Sequence, residues 1–337
     1  MTKKSPTLVV ALALAAAMLA GCAAGPAGAA TPAPSASATG TPVPAPTIDK
    51  VAVTYVTSPL NVPSIVEKKT GAFADAFKSA GIGVTYSKLT TGPEQTAALA
   101  SGDIQFLFGV GGTSVILAAA NGADIAIVDM YSRSPQAFML VTGAHGPMSP
   151  AELKGKTIAG PKGTILHQLL LAYLATGGLT AKDVNFVNMT IPAAQAALAG
   201  GSADAALLAG PAAYQALAAG EKKVTDGTGL VRGTIVVATS RAFATAHPDV
   251  VATFVKAHKG VLDYMAQHQD DALAMAAAET GLTTDAVRGM YPQYDFSPTV
   301  TAADVADLEA TQQFMLANGM ITKTVDIPGL VLGGANG

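Results

Sequence analysis

The sequence predicts an α/β fold of two lobes that face each other across a cleft. Three observations predict it. Short β-branched runs alternate with helical runs over most of the chain, the pattern of strands each followed by a helix. Two Gly-rich turns, Gly109-Val110-Gly111-Gly112-Thr113-Ser114 and Gly160-Pro161-Lys162-Gly163-Thr164, each follow a strand and open a helix. The step Ala100-Ser101-Gly102-Asp103 before one apolar strand is matched in character by Gly200-Gly201-Ser202-Ala203-Asp204 before another.

Composition bounds the partners. Of 337 residues only 13% are charged, about half the usual share of roughly 25%, and the net charge is −3. That balance leaves no basic footprint for nucleic acid. A single cysteine excludes an intrachain disulfide framework and any multi-Cys metal site.

Lys3 and Lys4 precede the apolar run Leu8 to Ala20, a charged region followed by an apolar one, as in an export signal. The run is short and Ala-rich, whereas a spanning helix needs about 20 strongly apolar residues. Residues 1–21 are therefore expected to be a signal peptide. Residues 22–47 are dominated by Ala, Pro, Ser, Thr and Gly, carry no charge and read as a semi-extended linker.

Val51–Val56 is the first expected strand, ending in the turn cluster Ser58-Pro59-Leu60-Asn61. One helix is expected over Val62–Phe77, a strand near Val84–Leu89, and a helix opening at Thr91-Gly92-Pro93-Glu94. Strands follow at Ile104–Phe108 and Ile125–Val128, which argues a parallel, doubly wound lobe. Ala137–Val141 is another strand, and Ser149-Pro150-Ala151-Glu152 has the spacing of a capping box. In the second half, strands at Thr157–Ala159, Asn185–Val187 and Ala205–Leu208 alternate with helices from Ile165 and Pro192 and through Tyr214. Thr234–Ala238 is β-rich, and from Ser240 to about Leu316 the chain reads as helices. The expected division is 48–143 for the first lobe, 144–231 for the second, and 232–330 for a return to the first.

Ligands in such sheets bind beyond the carboxyl ends of the strands. The glycines of the Gly109–Ser114 turn let backbone N–H groups approach a ligand, and Thr113 or Ser114 can cap the helix. First-turn N–H groups lack partners and the helix dipole is positive there, so the turn is a seat for an anion. Ser58, Pro59, Leu60 and Asn61 belong to the same rim. Gly163, Thr164 and His167 open the equivalent helix of the second lobe, and Gly210, Pro211 and Tyr214 follow the strand Ala205–Leu208. Arg133 and Arg232 fall near the two expected lobe crossings, where a guanidinium can pair with an anion.

Other chemistries fit less well. The Gly109–Ser114 turn has part of a dinucleotide fingerprint, with Asp129 at roughly the distance of a ribose contact, but it follows the third strand. Lys154-Gly155-Lys156-Thr157 has the end of a P-loop, with Pro150 where its first Gly belongs. No Gly-x-Ser-x-Gly elbow occurs, and the histidines lack ligand spacing for a metal.

Two resemblances add to this reading. Leu19-Ala20-Gly21-Cys22 resembles the bacterial lipoprotein box, which implies that Cys22 becomes the N-terminus and is lipidated. Ala97–Ile104, the Gly-Gly-Thr-Ser turn, Glu152–Ala159, Lys162-Gly163-Thr164 with His167, Ser202–Ala205 and Ala242–Asp249 together resemble the substrate-binding proteins of ABC transporters, in the nitrate, sulfonate and taurine branch. The resemblance covers about residues 50–325. It implies a periplasmic-binding-protein-like fold of type II, a small organic anion such as a sulfonate held between the lobes, and no cofactor. It also implies an extracytoplasmic, lipid-anchored monomer that delivers its ligand to an ABC permease with its ATPase. Ala209-Gly210-Pro211 stands where relatives often carry an aromatic-acid-Pro step, and Ile165-Leu166 where they have small polar residues, so the pocket is expected to be roomier or more apolar. The alternatives are an enzyme like the thiamine-pyrimidine synthesis proteins, which share the fold, and a receptor for a sensor kinase.

Overall fold

The computed structural model describes residues 48–333. The chain first lays down β1 (Lys50–Thr54), α1 (Val62–Thr70), α2 (Ala72–Lys78), β2 (Gly83–Ser87), α3 (Gly92–Ala100), β3 (Leu107–Gly111), α4 (Gly112–Ala120) and β4 (Ala126–Arg133). It then builds β5 (Phe138–Thr142), β6 (Thr157–Gly160), α5 (Ile165–Thr176), β7 (Asn185–Asn188), α6 (Ile191–Ala199), β8 (Ala205–Ala209), α7 (Pro211–Ala218) and β9 (Lys222–Asp226). It returns through β10 (Thr234–Thr239) to α8 (Arg241–Ala246), α9 (Pro248–Gln267), α10 (Gln269–Thr280), α11 (Thr284–Met290), α12 (Ala302–Ala317) and α13 (Ile327–Leu330).

The strands form two layers of the same design. In the first lobe β2 and β1 pair in parallel, and Thr54 N–H donates to Phe106 O at 3.0 Å, which joins β1 to the start of β3. β10 lies antiparallel between β3 and β4. In the second lobe the order is β7-β6-β8-β5-β9, with β5 antiparallel to both neighbours. Each lobe thus holds one antiparallel strand, which corrects the expectation of a purely parallel first lobe. The reason is topological: each antiparallel strand is the first one laid down after a crossing between lobes.

The first crossing falls between Arg133 and Phe138, because β5 already pairs in the second sheet. That lies ahead of the Gly143–Ala144 boundary expected from sequence. The return falls between Asp226 and Thr234, spanning the expected step at Val231–Arg232.

Other expectations also shift. The helix over Val62–Phe77 is two helices, because Gly71 takes φ 75° and its N–H closes on Glu67 O, a left-handed C-cap. Ser149–Leu153 makes only a short 3-10 turn over Ala151–Leu153, in which Glu152 Oε2 accepts from Met148 N–H and Ser149 N–H. β9, an edge strand that starts Lys222-Lys223, is a strand that the local sequence does not predict.

The first core is aromatic. Phe254 on α9 stacks on Phe106 with centroids 4.0 Å apart and meets Phe73 and Phe108 edgewise or tilted. The stripe Val250, Phe254, His258, Val261 and Met265 is buried at helical spacing. His258 sits in it with Nδ1 2.9 Å from Asp129 Oδ2, so the buried carboxylate is paired. The second core packs Leu166, Leu169, Leu170 and Leu174 of α5 on one face of the sheet, and small residues such as Ala194, Ala206 and Ala213 on the other. Among the described residues no helix is long and apolar enough to cross a membrane.

Candidate functional site

Parallel strands followed by helices put every such helix start at the same edge of its sheet, and the two sheets turn those edges toward each other. A cleft results that is lined by the starts of six helices. Ser58 and Pro59 lead into α1, Thr90 and Gly92 into α3, Gly111 and Ser114 into α4, Thr164 and Ile165 into α5, Ile191 into α6, and Pro211 into α7. The cleft has an inner chamber of about 70 Å³ and an outer chamber of about 370 Å³, which share Ser58, Thr90 and Ile191.

The six helices turn the positive ends of their dipoles to the cleft, and the first turns of α4, α5, α6 and α7 also offer unpaired N–H groups, whereas Ser64 N–H of α1 donates to Tyr131 Oη and Glu94 N–H of α3 to Thr91 Oγ1. Among the described residues, no charged side chain lines the inner chamber, and Lys88 is the one cation of the outer chamber. On the wall of the inner chamber one buried polar atom, Gln95 Oε1, has no hydrogen-bond partner among the described residues, while at the outer chamber the Tyr55 hydroxyl is turned to the Glu279 carboxylate. Burial, with the Glu279 and Glu67 carboxylates nearby, raises the Tyr55 phenol well above its usual range and keeps it neutral. Lys68 Nζ stands 3.9 Å from the centre of the Tyr55 ring, a cation–π contact that steadies it.

The residues expected at the site separate into three groups. Ser58, Pro59, Gly111, Ser114, Thr164 and Pro211 line the cleft. Leu60, Asn61, Gly112, Thr113, Gly163 and Gly210 form the layer behind it. Leu60 N–H donates to Tyr294 Oη at 3.1 Å, and Asn61 Nδ2 donates to Val56 O at 3.1 Å. Gly112 packs beneath Leu308, and Thr113 Oγ1 donates to Gln168 Oε1 at 2.7 Å. Gly163, at φ +73°, leaves no room for a side chain beside Leu117 and Pro93. Gly210, at φ +52°, lies against the Pro59–Leu60 backbone, where a Cβ would come within 2.7 Å of Leu60 N. The two expected rims therefore touch across the cleft.

The third group lies elsewhere. Arg133 sits at the first crossing but is consumed there: its Nε and Nη2 hold Asp304, and Nη1 and Nη2 donate to Ser297 O and Thr299 O. Arg232 sits at the second crossing, and its Nε pairs with Asp307 at 2.7 Å. Tyr214 is 40% exposed and lines neither chamber. The face of α7 toward the cleft is Pro211, Ala212 and Gln215 instead. His167 faces a separate groove beside Lys162, Phe186 and Asn318. Burial and the Lys162 charge lower its pKa to about 4. Cys22 lies outside the described residues.

Sequence reasoning passed over Thr90, Thr91 and Gln95. The signal was present, since Thr91-Gly92-Pro93-Glu94 reads as a helix start after a strand. In the structure it is a full capping box, with Glu94 N–H to Thr91 Oγ1 and Thr91 N–H to Glu94 Oε2. A helix that starts after a parallel strand lines the cleft, which holds for α3 as it does for α4 and α5.

Comparison with known proteins points the same way. The taurine-binding periplasmic protein of Escherichia coli (strain K12) is 32% identical over 210 residues, covering 61% of this chain and 63% of that protein. The alkanesulfonate-binding protein SsuA of Xanthomonas axonopodis pv. citri, solved with MOPS bound, superposes with a TM-score of 0.77 at 24% identity, covering 84% of this chain and 98% of that one. The desulfurization enzyme DSZB superposes with a TM-score of 0.64 at 20% identity, covering 84% of this chain and 96% of that one, so this fold also carries chemistry. The model of the NMT1/THI5-like family matches residues 65–272, from within α1 to within α10 and across all of the second lobe. The chain therefore belongs to the NMT1/THI5-like family.

Proposed function

We propose that the protein is the extracytoplasmic solute-binding component of an ABC importer and takes a small organic anion of the sulfonate type. The observation that carries this is the convergence of six helix starts on one cleft whose inner chamber has no charged side chain. Oriented backbone N–H groups and dipoles hold an oxyanion without the desolvation cost of burying a lysine or arginine beside it. Taurine and sulfonate binding in the similar proteins support the choice of head group.

Binding adds to the contacts that already hold the lobes together, and the closed state so stabilised is the one a permease with its ATPase reads. The ligand leaves unaltered. Residues 1–21 direct export, Cys22 carries the lipid, and 22–47 tether a monomeric receptor to the membrane surface.

Thermal unfolding with ethanesulfonate, 2-aminoethanesulfonate and nitrate tests the reading. A bound anion at 100 times its Kd stabilises by about 2.7 kcal/mol. No shift with any of them, or conversion of any of them, would sink it. The anchor is tested by mass, since Cys22→Ala must lack the lipid.

A further inference from the structure

The inner chamber has two kinds of wall. Its backbone side donates hydrogen bonds, through the first turns of α4 and α5. Four of its polar side chains, Ser58, Ser114, Thr164 and Gln95, present acceptors. Ser58 Oγ donates its proton to Ala209 O at 3.4 Å, Ser114 Oγ to Gly163 O at 3.0 Å and Thr164 Oγ1 to Pro161 O at 2.8 Å. Each of these hydroxyls therefore turns only lone pairs toward a ligand. Gln95 completes the set. Its Nε2 donates to Leu89 O at 3.2 Å, which fixes the orientation of the amide and leaves Oε1 as the free end. Gln95 is 3% exposed, and Oε1 has no partner among the described residues. A buried acceptor without a donor costs about 1–3 kcal/mol, and a plain oxyanion brings only more acceptors.

We propose that Gln95 makes the chamber selective for organic oxyanions that also carry a hydrogen-bond donor, a hydroxyl or an amine. This rests on the oxyanion reading above. The anionic head takes the N–H groups of the α4 and α5 first turns. The hydroxyl or ammonium donates to Gln95 Oε1, with the Ser58, Ser114 and Thr164 oxygens as further acceptors. A solute lacking the donor leaves Gln95 Oε1 unpaired, the situation in which binding sites discriminate most strongly.

The test is calorimetric titration of the purified protein with ethanesulfonate, 2-hydroxyethanesulfonate and 2-aminoethanesulfonate, three probes that share a head group and differ in the donor. The two donor-bearing probes are expected to bind about tenfold tighter than ethanesulfonate. Gln95→Met, close to Gln in length, should collapse that preference to about twofold or less. Gln95→Glu restores an acceptor and adds charge, so it should favour the amine over the hydroxyl more than the wild type does. Equal Kd values for the three probes in the wild type overturn the proposal and leave the oxyanion reading standing. A preference that survives Gln95→Met also overturns it. If none of the three binds, the oxyanion reading fails and this proposal fails with it. The wild-type comparison needs no variant, so a variant that does not fold does not shield the idea.

Discussion

Glu67 and His167 are buried side chains whose surroundings pull their protonation in opposite directions. Burial lifts Glu67 from 4.5 to about 7, against hydrogen bonds from Tyr86 Oη at 2.6 Å and Phe73 N–H at 3.1 Å. Between those two values the native state keeps a proton that the unfolded chain has released, so stability falls as pH rises through the window. For His167 burial and Lys162 bring the value from 6.5 to about 4. There the unfolded chain takes up the proton first, so stability falls as pH drops from 6.5 toward 4. The two effects oppose each other. Glu67→Gln keeps the shape and both hydrogen bonds while removing the charge. It is expected to gain about 1–3 kcal/mol over the wild type at pH 8 and to lose that gain near pH 4.5, measured by urea unfolding at both pH values. A gain that is larger at pH 4.5 than at pH 8 would show that the Glu67 environment is misread. At this scale the sequence was least legible. Arg133 and Arg232 were placed at the crossings, where they are, but the acids that occupy them, Asp304 and Asp307, come from a helix about 170 and 75 residues further along. No local pattern announces such a partner.

At the scale of elements, α4 and α5 do more than point at the cleft. Thr113 Oγ1 donates to Gln168 Oε1, Ser114 Oγ donates to Gly163 O, and Gln168 Nε2 reaches Thr311 Oγ1 of α12 at 3.5 Å. These buried bonds stitch the first lobe to the second. Removing both hydroxyls, with Thr113→Val and Ser114→Ala together, is expected to shift the ligand-free protein toward an opened form. Small-angle scattering should report a larger radius of gyration than for the wild type, and a bound sulfonate should restore it. An unchanged radius would mean that apolar packing at Ile165 and Leu117 alone holds the seam. The helix starts were readable because caps and prolines have local chemistry, as at Thr91-Gly92-Pro93-Glu94. β9 was not, since a lysine-led edge strand has neither the apolar run nor the alternation that marks a strand. His167 and Tyr214 were assigned to the right helices and the wrong faces. A one-residue difference in position turns a side chain by about 100° around a helix, and the N-terminal register that decides it is set by Gly163 and Gly210 packing against the other lobe.

For the whole molecule, both lobes share one plan, with four parallel strands and one antiparallel strand inserted next to the last. Alternation made the α/β class and the two halves legible. The inserted strands were not, because the pairing of β5 and β10 depends on where the chain crosses rather than on their own residues. The second sheet closes within Phe138–Asp226, a continuous stretch, whereas the first needs Thr234–Thr239 between strands laid down more than a hundred residues earlier. Long-range pairing is slow because loop entropy is lost before contacts form. In pulse-labelling hydrogen exchange during refolding, the amides of Ala205–Ala209 are expected to gain protection before those of β10, Thr234–Thr239. The reverse order would contradict this. The position of β10 also sets a schedule. A chain that emerges from its N-terminus holds β3 and β4 without their shared partner until Thr234 follows, and Ile235 supplies part of the inner chamber wall. The binding site therefore comes into being late, with the strand that finishes the first sheet, and a chain cut short before that strand has the second lobe's helix starts on their own sheet but lacks the strand that joins β3 to β4 in the first.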